Sequence, residues 1–120
     1  MNPYGIEDRY GDIEIIKEDR LERFLKKNNC VDSFEEVLDI YKRIFPFNSC
    51  IIELYTKYRY NNEFLNDFPI TPSHVIVIIV DSKYISFDRY VNNVNEFNQV
   101  ALKLVEQESI LGLLRFEYKK

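Results

Sequence analysis

The chain has 120 residues, 46% of them hydrophobic, which is enough for one domain to bury a continuous core. Its formal charge is −4, the opposite of the basic excess typical of proteins that neutralise duplex phosphates. The longest strongly apolar run, residues 75–80, is far shorter than the ~20 residues that a membrane-spanning helix needs. We therefore expect a single α+β domain over residues 1–120, with neither duplex nucleic acid nor a membrane as its partner.

Two helices are predicted in the first half of the chain, after a short strand or extended arm over residues 12–17. Asp19, with Glu22 three residues later, indicates a helix start, and the asparagines at 28–29 suit its end because Asn tolerates the left-handed conformation. Ser33 and Glu36 form a capping box, so we expect the second helix to begin at Ser33.

Strands are predicted in the middle of the chain. From Cys50 to residue 59 the hydrophobic period is two, which indicates a half-buried strand. Residues 75–80 are β-branched without alternation, which predicts a central strand covered on both faces. A turn at 81–83 then leads into residues 84–87, which complete a predicted hairpin.

The last elements are a helix over about residues 93–108 and a strand over 110–118. The predicted order is α-α-β-β-β-α-β. This order indicates an α+β fold in which a mostly antiparallel four-stranded sheet is covered by about three helices on one face. The connection over residues 61–74 is long enough that such loops are usually functional or mobile.

Few residues are suited to catalysis or metal binding. His74 is the only histidine, and Cys30 and Cys50 are the only cysteines. Zinc sites need four nitrogen or sulfur ligands at recognisable spacing, so we expect no metal, no cofactor and no catalytic residue. Residues 1–10 lack the pattern of a secretory signal, which favours a cytoplasmic location and free, buried thiols.

Two stretches are typical of a protein-binding surface. Residues 7–22 hold seven acids against three bases, which predicts electrostatic docking of a basic partner. Aromatic rings in the long loop and along the first long strand are suitable interface anchors. The predicted partner-binding residues are Asp8, Asp12, Glu14, Glu18, Phe64, Phe68, Tyr55, Lys57 and Arg59.

These patterns favour a non-enzymatic binding protein that neutralises a macromolecular partner. The concrete form we expect is a bacterial immunity or antitoxin-type protein that covers a basic toxin such as a nuclease. One alternative is a phage- or plasmid-encoded anti-defence inhibitor of a nucleic-acid-handling complex. Others are a single-strand nucleic-acid binder that uses Tyr55, Lys57 and Arg59, and a small enzyme with an unrecognised site near His74. The sequence leaves the partner and the oligomeric state open.

Overall fold

Helices cover one side of a β-sheet, as the α+β prediction requires. The computed structural model describes residues 13–59, 71–105 and 108–119. Within these ranges the elements are, in order, β1 (Ile13–Ile16), α1 (Glu18–Lys27), α2 (Val31–Ile44), β2 (Cys50–Arg59), β3 (Thr71–Asp81), α3 (Phe87–Leu104), a 3-10 helix (Glu108–Leu113) and β4 (Leu114–Lys119).

The described strands lie in the order β1-β2-β3-β4. The prediction of a mostly antiparallel sheet is wrong, because β1 pairs with β2 and β3 pairs with β4 in parallel, and only β2 and β3 are antiparallel. Each parallel pair is joined by a helical crossover, and only β2 and β3 form a hairpin. Because that hairpin reverses the strand direction while the helices stay on one face, the two crossovers have opposite hands. One is therefore of the rare left-handed kind.

The predicted hairpin of residues 75–80 with 84–87 is also wrong. Ser86 adopts extended backbone and its hydroxyl accepts a hydrogen bond from the backbone N–H of Arg89 at 3.2 Å. This N-cap starts α3 at Phe87, six residues before the predicted start. The antiparallel partner of β3 is β2, and the strand or arm suggested near the N-terminus is β1.

Helices α1 and α2 both begin before the residues predicted to cap them, and neither has a side-chain cap. Lys17, with φ of 51°, turns the chain directly from β1 into α1. The α2 helix begins at Val31 with no side-chain cap, and Ser33 is buried inside its first turns. Asn29 has φ of 55°, which confirms the left-handed residue predicted at the end of α1. Since α2 begins two residues before Ser33, that serine lies within the helix and cannot act as the predicted N-cap.

One core lies between the helices and the face of the sheet that they cover, which we call the core face. Alternate strand residues point into it, because successive side chains of a strand lie on opposite faces. Phe97 of α3 and Phe116 of β4 meet edge to face with ring centroids 4.9 Å apart. The buried strand residues of the core face are Cys50, Ile52, Leu54, Ile76, Ile78 and Val80.

The C-terminal strand is shorter than predicted. Residues 110–113 belong to the 3-10 helix, and β4 begins at Leu114. The predicted alternation holds from there, since Leu114, Phe116 and Tyr118 pack against the core. The Tyr118 hydroxyl donates to the Ile85 carbonyl at 2.7 Å and ties β4 to the connection that precedes α3.

Candidate interaction face of the sheet

The side of the sheet opposite the core face, which we call the open face, has no described helix packed against it. Strand register places its members next to one another, since directly opposed residues share a face. By register its described residues are Glu14 and Ile16 of β1, Ile51, Glu53, Tyr55, Lys57 and Arg59 of β2, Thr71, Ser73, Val75, Val77, Ile79 and Asp81 of β3, and Arg115, Glu117 and Lys119 of β4.

One transverse row of this face is apolar at its centre and acidic at both ends. Register aligns Glu14 with Ile51, Ile51 with Ile79, and Ile79 with Glu117. Both isoleucines are only partly buried, whereas the core-face residues next to them in the chain are almost fully buried. An apolar strip with a charged rim is the usual arrangement of an interface surface.

The neighbouring row of the open face is more deeply buried at its centre. Val77 lies between Glu53 and Arg115 in register and is only 4% exposed, although it belongs to the open face. Long charged side chains can cover apolar neighbours with their methylene stems while their charged groups remain in water. The strand at 75–80 is central, as predicted, but Val75 and Ile79 are partly exposed, so the expectation that it is covered on both faces is wrong.

Tyr55 is the exposed aromatic residue of this face, with 41% of its surface accessible. A hydrogen bond to the Glu53 carboxylate, and the negative charge of that group, raise the pKa of the Tyr55 phenol. Glu117 raises this pKa further. The phenol therefore keeps its proton and can serve as a rigid anchor that both packs and hydrogen-bonds.

A cleft of about 250 Å³ opens where the open face meets the end of the sheet. Carboxylates from β1 and β3 line it, together with the ammonium-bearing side chain of Lys119. The Asp81 carboxylate accepts a hydrogen bond from the backbone N–H of Lys83 at 3.0 Å, which fixes the turn beside the cleft. The lining residues are Glu14, Ser49, Cys50, Ile51, Ile79, Asp81 and Lys119.

The structure brings together only part of the site predicted from sequence. Glu14 and Tyr55 share the open face, whereas Glu18 is the exposed first residue of α1 and is not a strand residue. Lys57 and Arg59 follow Tyr55 at alternate positions of β2, opposite Ser73 and Thr71, so register places them on the open face as well. The remaining predicted residues lie outside the described residues: Asp8, Asp12, Phe64 and Phe68.

Several open-face charges were missed as candidates. Glu53 precedes Tyr55 by two positions in β2, and Arg115 and Glu117 alternate with apolar residues in β4. This alternation was a usable signal for a shared face within each strand. Which strands lie side by side cannot be obtained from alternation alone, so the combined surface was not apparent.

His74 packs against the helices and is not at the open face. Its ring lies 4.8 Å from that of Phe24, centroid to centroid. Nearby, the Arg20 guanidinium donates to the Leu54 carbonyl at 3.2 Å and to the Thr56 hydroxyl, which attaches α1 to β2. No group of His, Cys, Asp and Glu side chains suited to a metal ion occurs among the described residues.

Both cysteines are free and buried, as predicted. Burial raises the pKa of the Cys50 thiol to about 12, with a hydrogen bond to Tyr41 acting weakly in the other direction. The Tyr41 hydroxyl donates to the Asn48 carbonyl at 2.8 Å, and burial also raises its pKa. A thiol held in this protonated state is a poor nucleophile, so Cys50 has a packing role.

Comparisons with protein-family models, with curated proteins and with solved structures found no match to this chain. No helix within the described ranges combines the length and apolar character needed to cross a membrane. The described elements thus define an α+β fold with a mixed sheet that has one helix-covered face and one open face. The open face is the candidate interaction surface among the described residues.

Proposed function

We propose that this chain is a non-enzymatic binding protein that covers a basic macromolecular partner with the open face of its sheet. The observation that carries the proposal is the partly exposed apolar strip of Ile51 and Ile79, bounded by Glu14 and Glu117. Apolar groups at the centre of an interface supply affinity, and rim charges select the partner and speed encounter.

The acids at both ends of the apolar strip support a basic partner. Register places four acids and four bases on the described part of this face, but Glu14 and Glu117 bound the strip, whereas Lys57 and Arg59 lie at the far end of β2. The whole chain is also acidic, with a formal charge of −4. In its concrete form the proposal is an immunity or antitoxin-type inhibitor of a basic toxin such as a nuclease.

The experiment compares capture by three forms of the tagged chain from lysates of its own host. Glu14→Lys with Glu53→Lys reverses two open-face acids. Glu35→Lys with Asp39→Lys is the matched control, because it changes the net charge equally at exposed positions on α2. We expect the open-face pair to reduce capture of the bound protein by about tenfold or more, and the control pair to change it little.

The captured protein is then purified and assayed with and without the chain. Inhibition of a basic toxin supports the proposal in full. Equal capture by both double variants, or recovery of nucleic acid in place of a protein, contradicts it. A captured nucleic-acid-handling defence complex would replace the toxin with the target expected of an anti-defence inhibitor.

A further inference from the structure

The outer side of β4 is an unpaired sheet edge within the part of the chain that the structure describes. Backbone N–H and C=O groups on such an edge can pair with another strand. Natural edges are usually blocked by proline, by a bulge, by very short strands or by charged side chains. Leu114–Lys119 is six residues long with neither Pro nor Gly, and its charges, Arg115, Glu117 and Lys119, alternate in sign, which suits a strand of complementary charge.

The other edge of the sheet is less suited to pairing. There β1 is four residues long and reaches only to Glu53 of β2. Just beyond that point, the Arg20 side chain contacts the Leu54 carbonyl and the Thr56 side chain. Helix α1 therefore covers the start of the stretch of β2 that β1 leaves unpaired, and β4, with six residues against four in β1, is the longer edge strand.

The charges of β4 complement those of an antiparallel second copy. When Phe116 opposes Phe116 of the second copy, Arg115 opposes Glu117 of that copy, and the reciprocal pair forms by symmetry. Leu114 then opposes Tyr118, so apolar residues meet on the core face. Within one chain the Arg115 Nε and the Glu117 Oε2 are 3.5 Å apart, and most of the Arg115 side chain is exposed. In the dimer the two arginines and two glutamates therefore alternate in sign.

Neighbouring registers lose this complementarity. In a symmetric antiparallel pair, directly opposed residues share a face. The two neighbouring registers are therefore centred on Arg115 and on Glu117 in place of Phe116. The first places Arg115 opposite itself. The second places Glu117 opposite itself and Arg115 opposite Lys119. Like charges directly opposite one another destabilise a strand pair, so a single register is favoured.

We propose that the chain forms a symmetric dimer in which two β4 strands pair antiparallel about Phe116 and join the two sheets. The occupant of the β4 edge is a second copy of this chain. Both open faces then lie on the same side of the continuous sheet, because the twofold axis is perpendicular to it.

The test uses charge reversal and sedimentation equilibrium of the full chain. Arg115→Glu leaves only acids at the two paired positions, and Glu117→Arg leaves only bases. Each variant alone should show a dimer dissociation constant raised by about tenfold or more. An equimolar mixture of the two should form a heterodimer, because acids then oppose bases at every pair.

Controls separate dimer loss from unfolding. Lys119→Glu changes the charge of the same strand outside the two pairs and should leave the dimer unchanged. Circular dichroism checks that each variant is folded, and the neutral variant Arg115→Gln/Glu117→Gln should weaken the dimer less than either reversal. A monomeric wild-type chain overturns the proposal. So does a dimer that tolerates both reversals, or a mixture that fails to associate.

Discussion

The two faces of the sheet are built by the same strands but differ in what covers them. Ile78 is fully buried under the helices, whereas its neighbour Ile79 is partly exposed on the open face. The core face contains apolar residues across its strands, and the open face mixes an apolar centre with acids and bases. This comparison indicates that one face stabilises the fold and that the other is left uncovered by the described helices.

The largest expected effect concerns the packing above the core face. Phe97 is fully buried and meets Phe116, so Phe97→Ala should lower the free energy of unfolding by about 3–5 kcal/mol. Leu102→Ala on the same helix is the control, since that side chain is 59% exposed and should change stability by less than about 0.5 kcal/mol. Urea denaturation measures both, and equal losses would contradict this account of the core.

A second contrast compares a tyrosine on each side of the sheet. Tyr41→Phe removes the buried hydroxyl that donates to the Asn48 carbonyl, which should cost about 1–3 kcal/mol because that acceptor is left unsatisfied. Tyr55→Phe on the open face removes a solvent-accessible hydroxyl and should cost less than about 0.5 kcal/mol. Urea denaturation measures both variants. A large loss of stability in Tyr55→Phe would show that the open face contributes to folding stability.

The buried thiol of the core face predicts a dependence on alkaline pH. The unfolded chain releases the Cys50 proton near pH 9.0, whereas burial keeps it bound in the folded state up to about pH 12. Since the folded state then holds more protons, stability should fall across this window by up to about 1.4 kcal/mol per pH unit. Cys50→Ala should flatten this decline, and an unchanged slope would show that the thiol is not the cause.

The smallest contrast is between two arginines. Arg20→Gln loses the guanidinium contacts that attach α1 to β2 and should cost about 1 kcal/mol. Arg115→Gln on the open face breaks an exposed ion pair and, at protein concentrations below the dimer dissociation constant, should cost less than about 0.5 kcal/mol. Thermal unfolding of the two variants ranks them, and the reverse order would contradict the assigned roles.

Local pattern predicted those parts of the fold that depend on local physics. Alternation in β2 correctly placed Ile52 and Leu54 on one side, and the preference of Asn for the left-handed region correctly placed the end of α1. The predicted strand at 84–87 failed because its three aromatic and β-branched residues, Tyr84, Ile85 and Phe87, satisfy a strand pattern as well as a helix entry. Ser86, which caps α3, was the signal that could have separated the two.

Local sequence pattern could not predict the direction of strand pairing or the candidate site. Nothing within β1 or β4 records which strand lies beside it, and the usual right-handed crossover rule disfavours one of the two connections that occur here. The Glu53–Val77–Arg115 row exists only once three strands are aligned. Such a surface depends on which residues of neighbouring strands are opposed. Local pattern therefore indicated the residues of each strand but not that they lie side by side.

The most direct test of the difference between the two faces is the free energy of unfolding of Ile78→Ala and Ile79→Ala. These neighbours differ in face but share residue type and strand. We predict a loss of about 2–5 kcal/mol for Ile78→Ala and about half of that or less for Ile79→Ala, which is only partly buried. If Ile79→Ala proves as costly as Ile78→Ala, the open face is packed within the chain itself and is not available to a partner.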